Sequence, residues 1–397
     1  MKLLIAIPAY NEESSIEGII ARSLEARENI IRNSPVTEVD VTVVSDGSTD
    51  RTAELAGRFR SMINLIAFTE NRGYGAAIKE AWRQSDADVL GFLDADGTCD
   101  PNFFAELCRT MDDQKADVAL GCRMNRSSRM PWLRRVGNAF FAGLLRMLSS
   151  EPVRDAASGM RVVRRDVLEK LFPLPDGLHF TPAMSAAAVL GGEVRVAEVD
   201  IPYHEREGES KLKVLHDGWR FLRVIVEAAL LFRPARPLGI LGVAALVAAA
   251  ALMVYPTWYY LANRAVAEWM IYRFVVSHLT GASACLLLAA SYLTSRMTRL
   301  TVAAGGRPSA WERAARRALV SPWFWAAPAV LVVAGGLLVL PSFLELVRTG
   351  ATYEHWSRFI AMTFLYATAV ILVVTRAIDY VLDLIERRLG WLKGRHV

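Results

Sequence analysis

The sequence contains little of what disulfide-bonded, zinc-binding or metalloprotease domains require. Its 397 residues include four cysteines and six histidines. The cysteines form no CxxC pair, and the histidines form no HExxH pair. Without these spacings a disulfide scaffold, a zinc finger and a zinc protease are disfavoured. We expect free thiols at Cys99, Cys108, Cys122 and Cys285.

Two common nucleotide-binding loops are also missing. No segment reads GxxxxGK[ST], and the turn after the first apolar run (residues 8–12) contains no glycine. A dinucleotide-binding fold needs glycines there so that its backbone can approach a pyrophosphate. The later Gly73-Tyr74-Gly75 lacks the third glycine. We therefore expect neither a P-loop nor a dinucleotide site.

The sequence has a small excess of basic residues but no motif that is typical of nucleic-acid binding. Lysine and arginine number 46 against 41 acidic residues, which gives a net charge of +5 and an isoelectric point near 9.1. No zinc-finger spacing or recognition-helix pattern accompanies this charge. Because 53% of the residues are hydrophobic, we expect the basic residues to face a membrane, with no nucleic-acid partner.

The first hundred residues alternate between apolar runs and helical patterns. Predicted strands cover residues 2–8, 39–44, 63–68 and 88–93. Strands separated by helices indicate an α/β fold with a doubly wound, mostly parallel sheet. In such sheets ligands bind beyond the carboxyl ends of the strands. Three polar turns fall at that edge, at residues 8–12, 45–48 and 94–96.

Asp94 and Asp96 are the strongest candidates for metal chemistry. They follow a predicted strand two residues apart, and side chains at i and i+2 of a strand point to the same side. One or two carboxylates, several waters and substrate phosphates commonly surround Mg²⁺. An acidic surface turn has the same local pattern, but the other polar turns at this edge favour a binding site.

Eight motifs follow one another in unbroken order over roughly residues 1–225. They are IPAYNE (7–12), VSDGSTD (44–50), NRGYGAA (71–77), DADGT (94–98), GCR (121–123), RRVGN (134–138), DAASGMR (155–161) and REGESKL (206–212). In this order they resemble family 2 glycosyltransferases, and within them the polyprenyl-phosphate branch that includes dolichyl-phosphate mannose synthase. The resemblance implies a GT-A fold and transfer of one sugar from a GDP- or UDP-sugar to a polyprenyl phosphate.

The resemblance also implies roles for the residues at matching positions. The implied ligands of Mg²⁺ or Mn²⁺ are Asp96 and Asp94. The implied nucleotide-sugar contacts are Pro8, Tyr10, Glu12, Asp46, Asp94 and Lys211. The implied acceptor-phosphate contacts are Arg123, Arg134 and Asn138. The implied catalytic residues are Asp94, Asp96, Arg206 and Asp155, with Asp155 orienting either the sugar or Arg161.

Three departures from related sequences refine these expectations. Ser45 stands where the family often has a second aspartate, which leaves Asp46 as the nucleotide contact. Thr98 stands where many members have glutamine, so metal binding depends mainly on Asp96. The QxxRW motif of processive polysaccharide synthases is absent, which favours a single transfer over chain growth.

The nature of the acceptor leaves alternatives open. An acceptor phosphate is already anionic near neutral pH, so no strong general base is needed. The motif order of the resemblance and the absence of an evident enzyme nucleophile imply direct displacement with inversion at the anomeric carbon. Diacylglycerol or a lipid-linked glycan would use the same donor site. A membrane scaffold without activity is a further alternative, disfavoured because Asp94, Asp96, Arg206 and Lys211 are present. A homo-oligomer is compatible with the sequence.

The C-terminal part contains four long apolar runs. Residues 237–262, 322–344 and 360–375 carry no charge, and residues 274–294 carry only His278. About 20 apolar residues cross a bilayer, so we predict four membrane spans. We therefore divide the chain into a catalytic domain (1–213), a juxtamembrane helix (214–236), four spans (237–386) and a basic tail (387–397). No signal peptide is expected before the first strand.

Two further segments are predicted to lie on the membrane surface, at residues 214–232 and 132–148. Each combines an apolar face with arginines, which is typical of interfacial helices. A core helix of the soluble domain is the alternative for the first. Arginines concentrate in the connection 295–321 and in the tail, so we expect the catalytic domain and both termini to be cytoplasmic.

Overall fold

The computed structural model describes residues 1–126, 128–149, 153–206, 214–301, 308–351 and 355–394. These residues form two compact units, Met1–Ala229 and Leu230–Val397. The juxtamembrane segment predicted over 214–236 is divided between them, and the predicted domain boundaries stay a prediction. Lys211 lies outside the described residues.

A seven-stranded sheet is the centre of the first unit. Its strands are β1 (Lys2–Ala9), β2 (Glu38–Asp46), β3 (Asn64–Phe68), β4 (Val89–Leu93), β5 (Val118–Cys122), β6 (Met160–Arg164) and β7 (Val196–Asp200). They are ordered β3-β2-β1-β4-β6-β5-β7. All neighbours are parallel except β6, which runs antiparallel to both β4 and β5. The predicted α/β, mostly parallel sheet is confirmed.

Eight α-helices within the described ranges accompany the sheet. They are α1 (Ile16–Asn33), α2 (Thr52–Gly57), α3 (Tyr74–Gln84), α4 (Phe104–Asp113), α5 (Trp132–Leu148), α6 (Leu168–Leu171), α7 (Phe180–Gly191) and α8 (Val214–Phe232). In α1 the buried side chains include Ile16, Ile19, Ile20 and Ile30, which recur at helical spacing along one face. That apolar face packs into the hydrophobic core with β1 and β2.

The register of the sheet brings the predicted polar turns together. Strand β1 is buried from Leu3 to Ile7, as expected for a strand covered on both faces. Its last residue, Ala9, pairs with Ser45 of β2, and its Ala6 pairs with Phe92 of β4. Because these three strands are parallel, the turns that follow them open at one edge of the sheet.

The second unit is helical. Its helices are α9 (Ala235–Asn263), α10 (Ile271–Thr301), α11 (Ala310–Val320), α12 (Ala326–Thr349) and α13 (Trp356–Gly394). Four segments are long and apolar enough to cross a membrane, namely Ala235–Asn263, Glu268–Thr301, Ala326–Thr349 and Trp356–Trp391. Each extends beyond the charge-free run that predicted it, because flanking polar residues continue the helix. The protein is therefore membrane-associated.

Candidate active site

A cavity of about 580 Å³ opens at the carboxyl ends of β1, β2 and β4. Its wall contains most of the predicted site residues: Pro8, Tyr10, Glu12, Asp46, Asp94, Asp96, Arg123, Arg134, Asn138 and Arg206. Asp155 does not line it but lies fully buried against Arg123. The sequence motifs, spread over 200 residues, thus converge on one cavity.

Asp94 is held between a tyrosine and a glycine. The Tyr74 hydroxyl donates to Asp94 Oδ1 at 2.5 Å, and the backbone N–H of Asp94 donates to the Gly159 carbonyl at 3.2 Å. A Cβ atom added at Gly159 would lie 1.8 Å from Asp94 Oδ2, so this close approach requires glycine. Burial raises the pKa of Asp94 to about 7, and the neighbouring Asp96 charge adds to the effect.

Asp96 accepts hydrogen bonds at both carboxylate oxygens. The Thr98 hydroxyl donates to its Oδ1 at 2.7 Å, and Arg206 donates to its Oδ2 at 2.9 Å. Arg206 also donates to Glu12 Oε1 at 2.6 Å, so one guanidinium joins the end of β1 to the end of β4. Thr98, at the position of the family's glutamine, therefore orients Asp96.

The two aspartates fit a divalent cation whose remaining ligands are supplied by water and substrate. Among the described residues, no group of three or more His, Cys, Asp or Glu side chains could hold a metal. Mg²⁺ and related cations do not need such a cage, because one or two carboxylates with phosphate and water oxygens complete the shell. Asp94 and Asp96 both line the cavity.

Asp46 fixes the loop that leads into α3. Its carboxylate accepts from the backbone N–H groups of Arg72 at 2.7 Å and Gly73 at 2.9 Å, and from the Asn71 amide at 3.1 Å. Gly47 has a φ of +66°, and a Cβ atom there would lie 2.3 Å from the backbone nitrogen of Asn71. Asp46 therefore holds this loop besides lining the cavity.

A buried ion pair supports the arginine on the opposite wall. Arg123 binds Asp155 in a bidentate manner, with Nε–Oδ2 and Nη2–Oδ1 distances of 2.8 and 2.9 Å. Asn138 donates to the same carboxylate at 3.0 Å. Burial alone would raise the pKa of Asp155, but the guanidinium outweighs it and the pKa lies below its ordinary value. Asp155 thus fixes the direction of two of the three predicted phosphate-binding side chains, Arg123 and Asn138.

Asp155 is not hydrogen-bonded to Arg161, one of the two partners that the resemblance suggested for it. Arg161 is fully buried and donates instead to the carbonyls of Ala156 and Ser158 and to the Ser185 hydroxyl. Burial lowers its pKa to about 10. Because Gly159 directly follows one of these carbonyls, Arg161 secures the segment that contacts Asp94.

The cavity becomes apolar between α5 and α8. Leu133 and Phe141 of α5 and Phe221 of α8 line this part, and the rings of Phe141 and Phe221 lie 5.8 Å apart. Arg134 marks the boundary, where it donates to the Tyr203 hydroxyl at 3.1 Å. The outer faces of the two helices carry exposed apolar side chains, including Trp132, Val136, Phe140 and Trp219.

The sequence did not indicate three residues of this site. Tyr74 lies in a quoted motif, but its contact with Asp94 crosses from α3 to β4. Gly159 also lies in a motif, and only its approach to Asp94 reveals why glycine is required. Tyr203 lies outside every motif, yet its ring lies 5.7 Å from the Arg123 guanidinium. No local pattern signals such contacts.

Comparison with known proteins agrees with this geometry. The model of the family described as "Glycosyl transferase family 2" matches residues 4–172. A dolichyl-phosphate hexose transferase of Haloferax volcanii is 33% identical over 57% of this chain and 94% of its own length. The low-salt glycan biosynthesis hexosyltransferase Agl6 of that organism is 32% identical over 62% of this chain. The chain spans only 59% of Agl6.

More distant similarities include a further curated relative and a solved structure. A dolichol-phosphate mannosyltransferase of Pyrococcus furiosus is 26% identical over 54% of this chain and 60% of its own. Among solved structures, glucosyl-3-phosphoglycerate synthase of Mycobacterium tuberculosis, in complex with Mn²⁺, UDP and glucosyl-3-phosphoglycerate, overlaps 57% of this chain and 80% of its own. That overlap has 16% sequence identity and a TM-score of 0.45.

Proposed function

The chain belongs to glycosyltransferase family 2, and on this basis we propose that it transfers one sugar from a nucleotide-sugar to a polyprenyl phosphate. The observation that carries the proposal is the two-sided cavity. Carboxylates line one end, apolar side chains of α5 and α8 line the other, and Arg123 and Arg134 lie in the same wall. The carboxylate end would bind the sugar donor, the arginines the acceptor phosphate, and the apolar end the prenyl chain.

The carboxylate end is proposed to hold the donor. A divalent cation bound to Asp96 and Asp94 would neutralise charge on the departing diphosphate. Glu12 and Asp46 lie at the carboxyl ends of β1 and β2, where they can contact the nucleoside together with Pro8 and Tyr10. Lys211 is proposed as a further donor contact. We assign Mg²⁺ or Mn²⁺ as the cation and a GDP- or UDP-sugar as the donor.

Arg206 is proposed to stabilise the leaving group. Its guanidinium lies between Glu12 and Asp96, with contacts of 2.6 and 2.9 Å, at the point where a diphosphate would meet both carboxylates. A fixed positive charge aimed at developing negative charge lowers the barrier to bond cleavage. Arg206 therefore contributes charge at the reacting end of the donor.

The wall of the cavity that contains Arg123 and Arg134 is proposed to bind the acceptor phosphate. One guanidinium group can donate two parallel hydrogen bonds to a phosphate, and Arg123 is already oriented by Asp155. Asn138 lies one helical turn after Arg134 on α5, so both can reach one phosphate. The acceptor oxygen is anionic without a general base, so the site contributes positioning. Attack opposite the diphosphate inverts the anomeric carbon.

The membrane is proposed to supply this acceptor from the side. Exposed apolar residues on α5 and α8 fit the surface of a bilayer, as in interfacial helices. The arginine-rich connection between α10 and α12 and the basic tail favour a cytoplasmic location for both. We therefore propose a multi-pass membrane enzyme whose catalytic domain and termini are cytoplasmic.

The test is transfer of radiolabelled sugar from a panel of UDP- and GDP-sugars to undecaprenyl or dolichyl phosphate, with and without Mg²⁺ or Mn²⁺. We expect an acid-labile glycolipid whose formation requires the metal. Asp96→Asn should lower the rate at least about a hundredfold, because it weakens charge stabilisation at the leaving group. The matched control is Asp86→Asn, at a surface aspartate paired with Lys2.

Other outcomes separate the alternatives. An acid-stable lipid product would replace the phosphate acceptor by diacylglycerol or a lipid-linked glycan. Metal-dependent hydrolysis of the donor without transfer would retain the donor site and overturn the acceptor. An α-linked product from an α-linked donor, shown by anomeric NMR couplings, would overturn inversion. Failure to bind any nucleotide-sugar would support a scaffold without activity.

A further inference from the structure

The second unit contains a cluster of ion pairs that joins α10 to α13. Arg296 of α10 is completely buried and pairs with Asp379, with Asp383 at 3.0 Å and with Glu386 at 2.8 Å. The Tyr292 hydroxyl donates to Asp379 at 2.6 Å. A buried charge is tolerated when it has such partners, and these contacts join the two helices.

The same cluster holds α11. Arg299 donates to Glu312 of α11 at 2.6 Å, and Arg316 of α11 donates to Asp383 at 2.9 Å. Within these contacts arginines and carboxylates are equal in number: Arg296, Arg299, Arg316 and Arg376 face Glu312, Asp379, Asp383 and Glu386. The cluster is therefore neutral and has no excess charge with which to attract an anion.

Two further arginines on α11 lack this compensation. Arg313 and Arg317, one helical turn apart, are exposed and line a cleft of about 430 Å³. Arg313 donates to the Pro308 carbonyl at 2.6 Å. Among the residues described by the structure, neither arginine pairs with a carboxylate. We call this the arginine cleft, and it carries two positive charges beyond those of the neutral cluster.

The surroundings of the arginine cleft are those of a membrane interface. Trp311 at the start of α11 and Trp323 and Trp325 after its end have exposed fractions of 45%, 80% and 59%. Tryptophan is enriched at the level of lipid headgroups. The cleft also includes Val320, which is 51% exposed, and the Ser321 side chain. Two arginines, an exposed valine and three exposed tryptophans thus occur together in the connection between two candidate spans.

We propose that the arginine cleft binds the phosphate headgroup of an anionic membrane lipid. The guanidiniums of Arg313 and Arg317 bind the phosphate oxygens, and Val320 contacts the first part of an acyl chain. Basic pockets between membrane helices are suited to such headgroups. The site lies in the helical unit and uses none of the active-site residues, so the inference does not rest on the proposed transfer reaction.

The test is lipid binding to the full chain in detergent, measured by native mass spectrometry with phosphatidylglycerol, phosphatidylcholine or inorganic phosphate as the probe. We expect one phosphatidylglycerol to bind in preference to phosphatidylcholine. The double variant R313Q/R317Q should bind it about thirty-fold more weakly, because each arginine near an anionic surface contributes about a factor of five. Both side chains are exposed, so the variant should fold normally.

The matched control is R264Q/R348Q, which removes two exposed arginines outside the cleft. This variant should bind phosphatidylglycerol like the unmodified protein. Equal weakening in both variants would overturn the proposal, because net charge alone would then explain binding. Equal affinity for the two lipids would also overturn it. Displacement of the lipid by inorganic phosphate at the same concentration would identify the cleft as a site for free phosphate instead.

Discussion

At the scale of single residues, Asp94 and Asp96 have different surroundings although they are two positions apart. Asp96 accepts hydrogen bonds from the Thr98 hydroxyl and the Arg206 guanidinium. Asp94 is partly exposed and accepts from the Tyr74 hydroxyl, and desolvation raises its pKa to about 7. The two carboxylates are therefore held differently, Asp96 by an arginine and a threonine and Asp94 by a tyrosine hydroxyl.

The close approach of Gly159 to Asp94 gives a prediction at this scale. Gly159→Ala would place a methyl group 1.8 Å from Asp94 Oδ2 and force the carboxylate to move. We expect Mn²⁺ affinity, measured by electron paramagnetic resonance without substrate, to fall about 10- to 100-fold, as for other changes that misorient a metal ligand.

The control for this change is Gly143→Ala, because a Cβ atom at Gly143 would meet nothing within 4 Å. The control should bind Mn²⁺ normally, since alanine is favourable in the interior of α5. Unchanged Mn²⁺ affinity in Gly159→Ala, together with an intact circular dichroism spectrum, would show that Asp94 does not bind the cation.

At the scale of structural elements, α5 and α8 define the apolar end of the cavity. Helix α5 contributes Arg134 and Asn138 as well as Leu133 and Phe141, so one helix carries both polar and apolar lining residues. Asn138 is fixed by Asp155, which lies between α5 and β6 in the chain. The position of α5 and the direction of Arg123 therefore depend on one buried carboxylate.

Asp155→Asn tests this dependence. Removing the negative charge leaves Arg123 buried without its partner, which should lower the free energy of unfolding by about 3 kcal/mol. The measurement is denaturant unfolding followed by circular dichroism, with acceptor KM measured alongside it. We expect acceptor KM to rise, because asparagine offers only one acceptor oxygen where Asp155 offers two to Arg123 and Asn138.

A surface pair provides the comparison for Asp155→Asn. Asp112 lies 3.5 Å from Arg164, with both side chains partly exposed, so Asp112→Asn should cost less than about 1 kcal/mol. Similar losses of stability in the two variants would mean that the Arg123–Asp155 pair contributes no more than a surface ion pair. An unchanged acceptor KM would remove the proposed positioning role while leaving a structural one.

At the scale of the whole molecule, a catalytic unit and a helical unit follow one another along the chain. The sheet of the catalytic unit is largely buried, whereas only 11–17% of the most apolar window of each candidate span is buried. Exposure of that extent requires a lipid environment, because water would not tolerate so much contiguous apolar surface. The exposed indoles near α11 fit the border of that environment.

The proposed orientation can be tested by cysteine labelling in intact cells. Cysteines introduced by Ser309→Cys and Ala351→Cys lie in different connections of the helical unit, before α11 and after α12. In a Cys285→Ser background, a thiol reagent that does not cross membranes should label only position 351. Labelling of position 309 alone would reverse the proposed topology, and labelling of both in permeabilised cells is the control.

The sequence by itself determined the family, the parallel sheet edge and the four apolar helices. It could do so because motif order, strand alternation and hydropathy are properties of contiguous residues. Tertiary structure alone decided which side chains meet across elements: Tyr74 with Asp94, Arg206 with Glu12, and Arg123 with Asp155. The charges of α13 likewise became a buried network only through packing against α10. Such contacts depend on distances between remote segments, which no local pattern encodes.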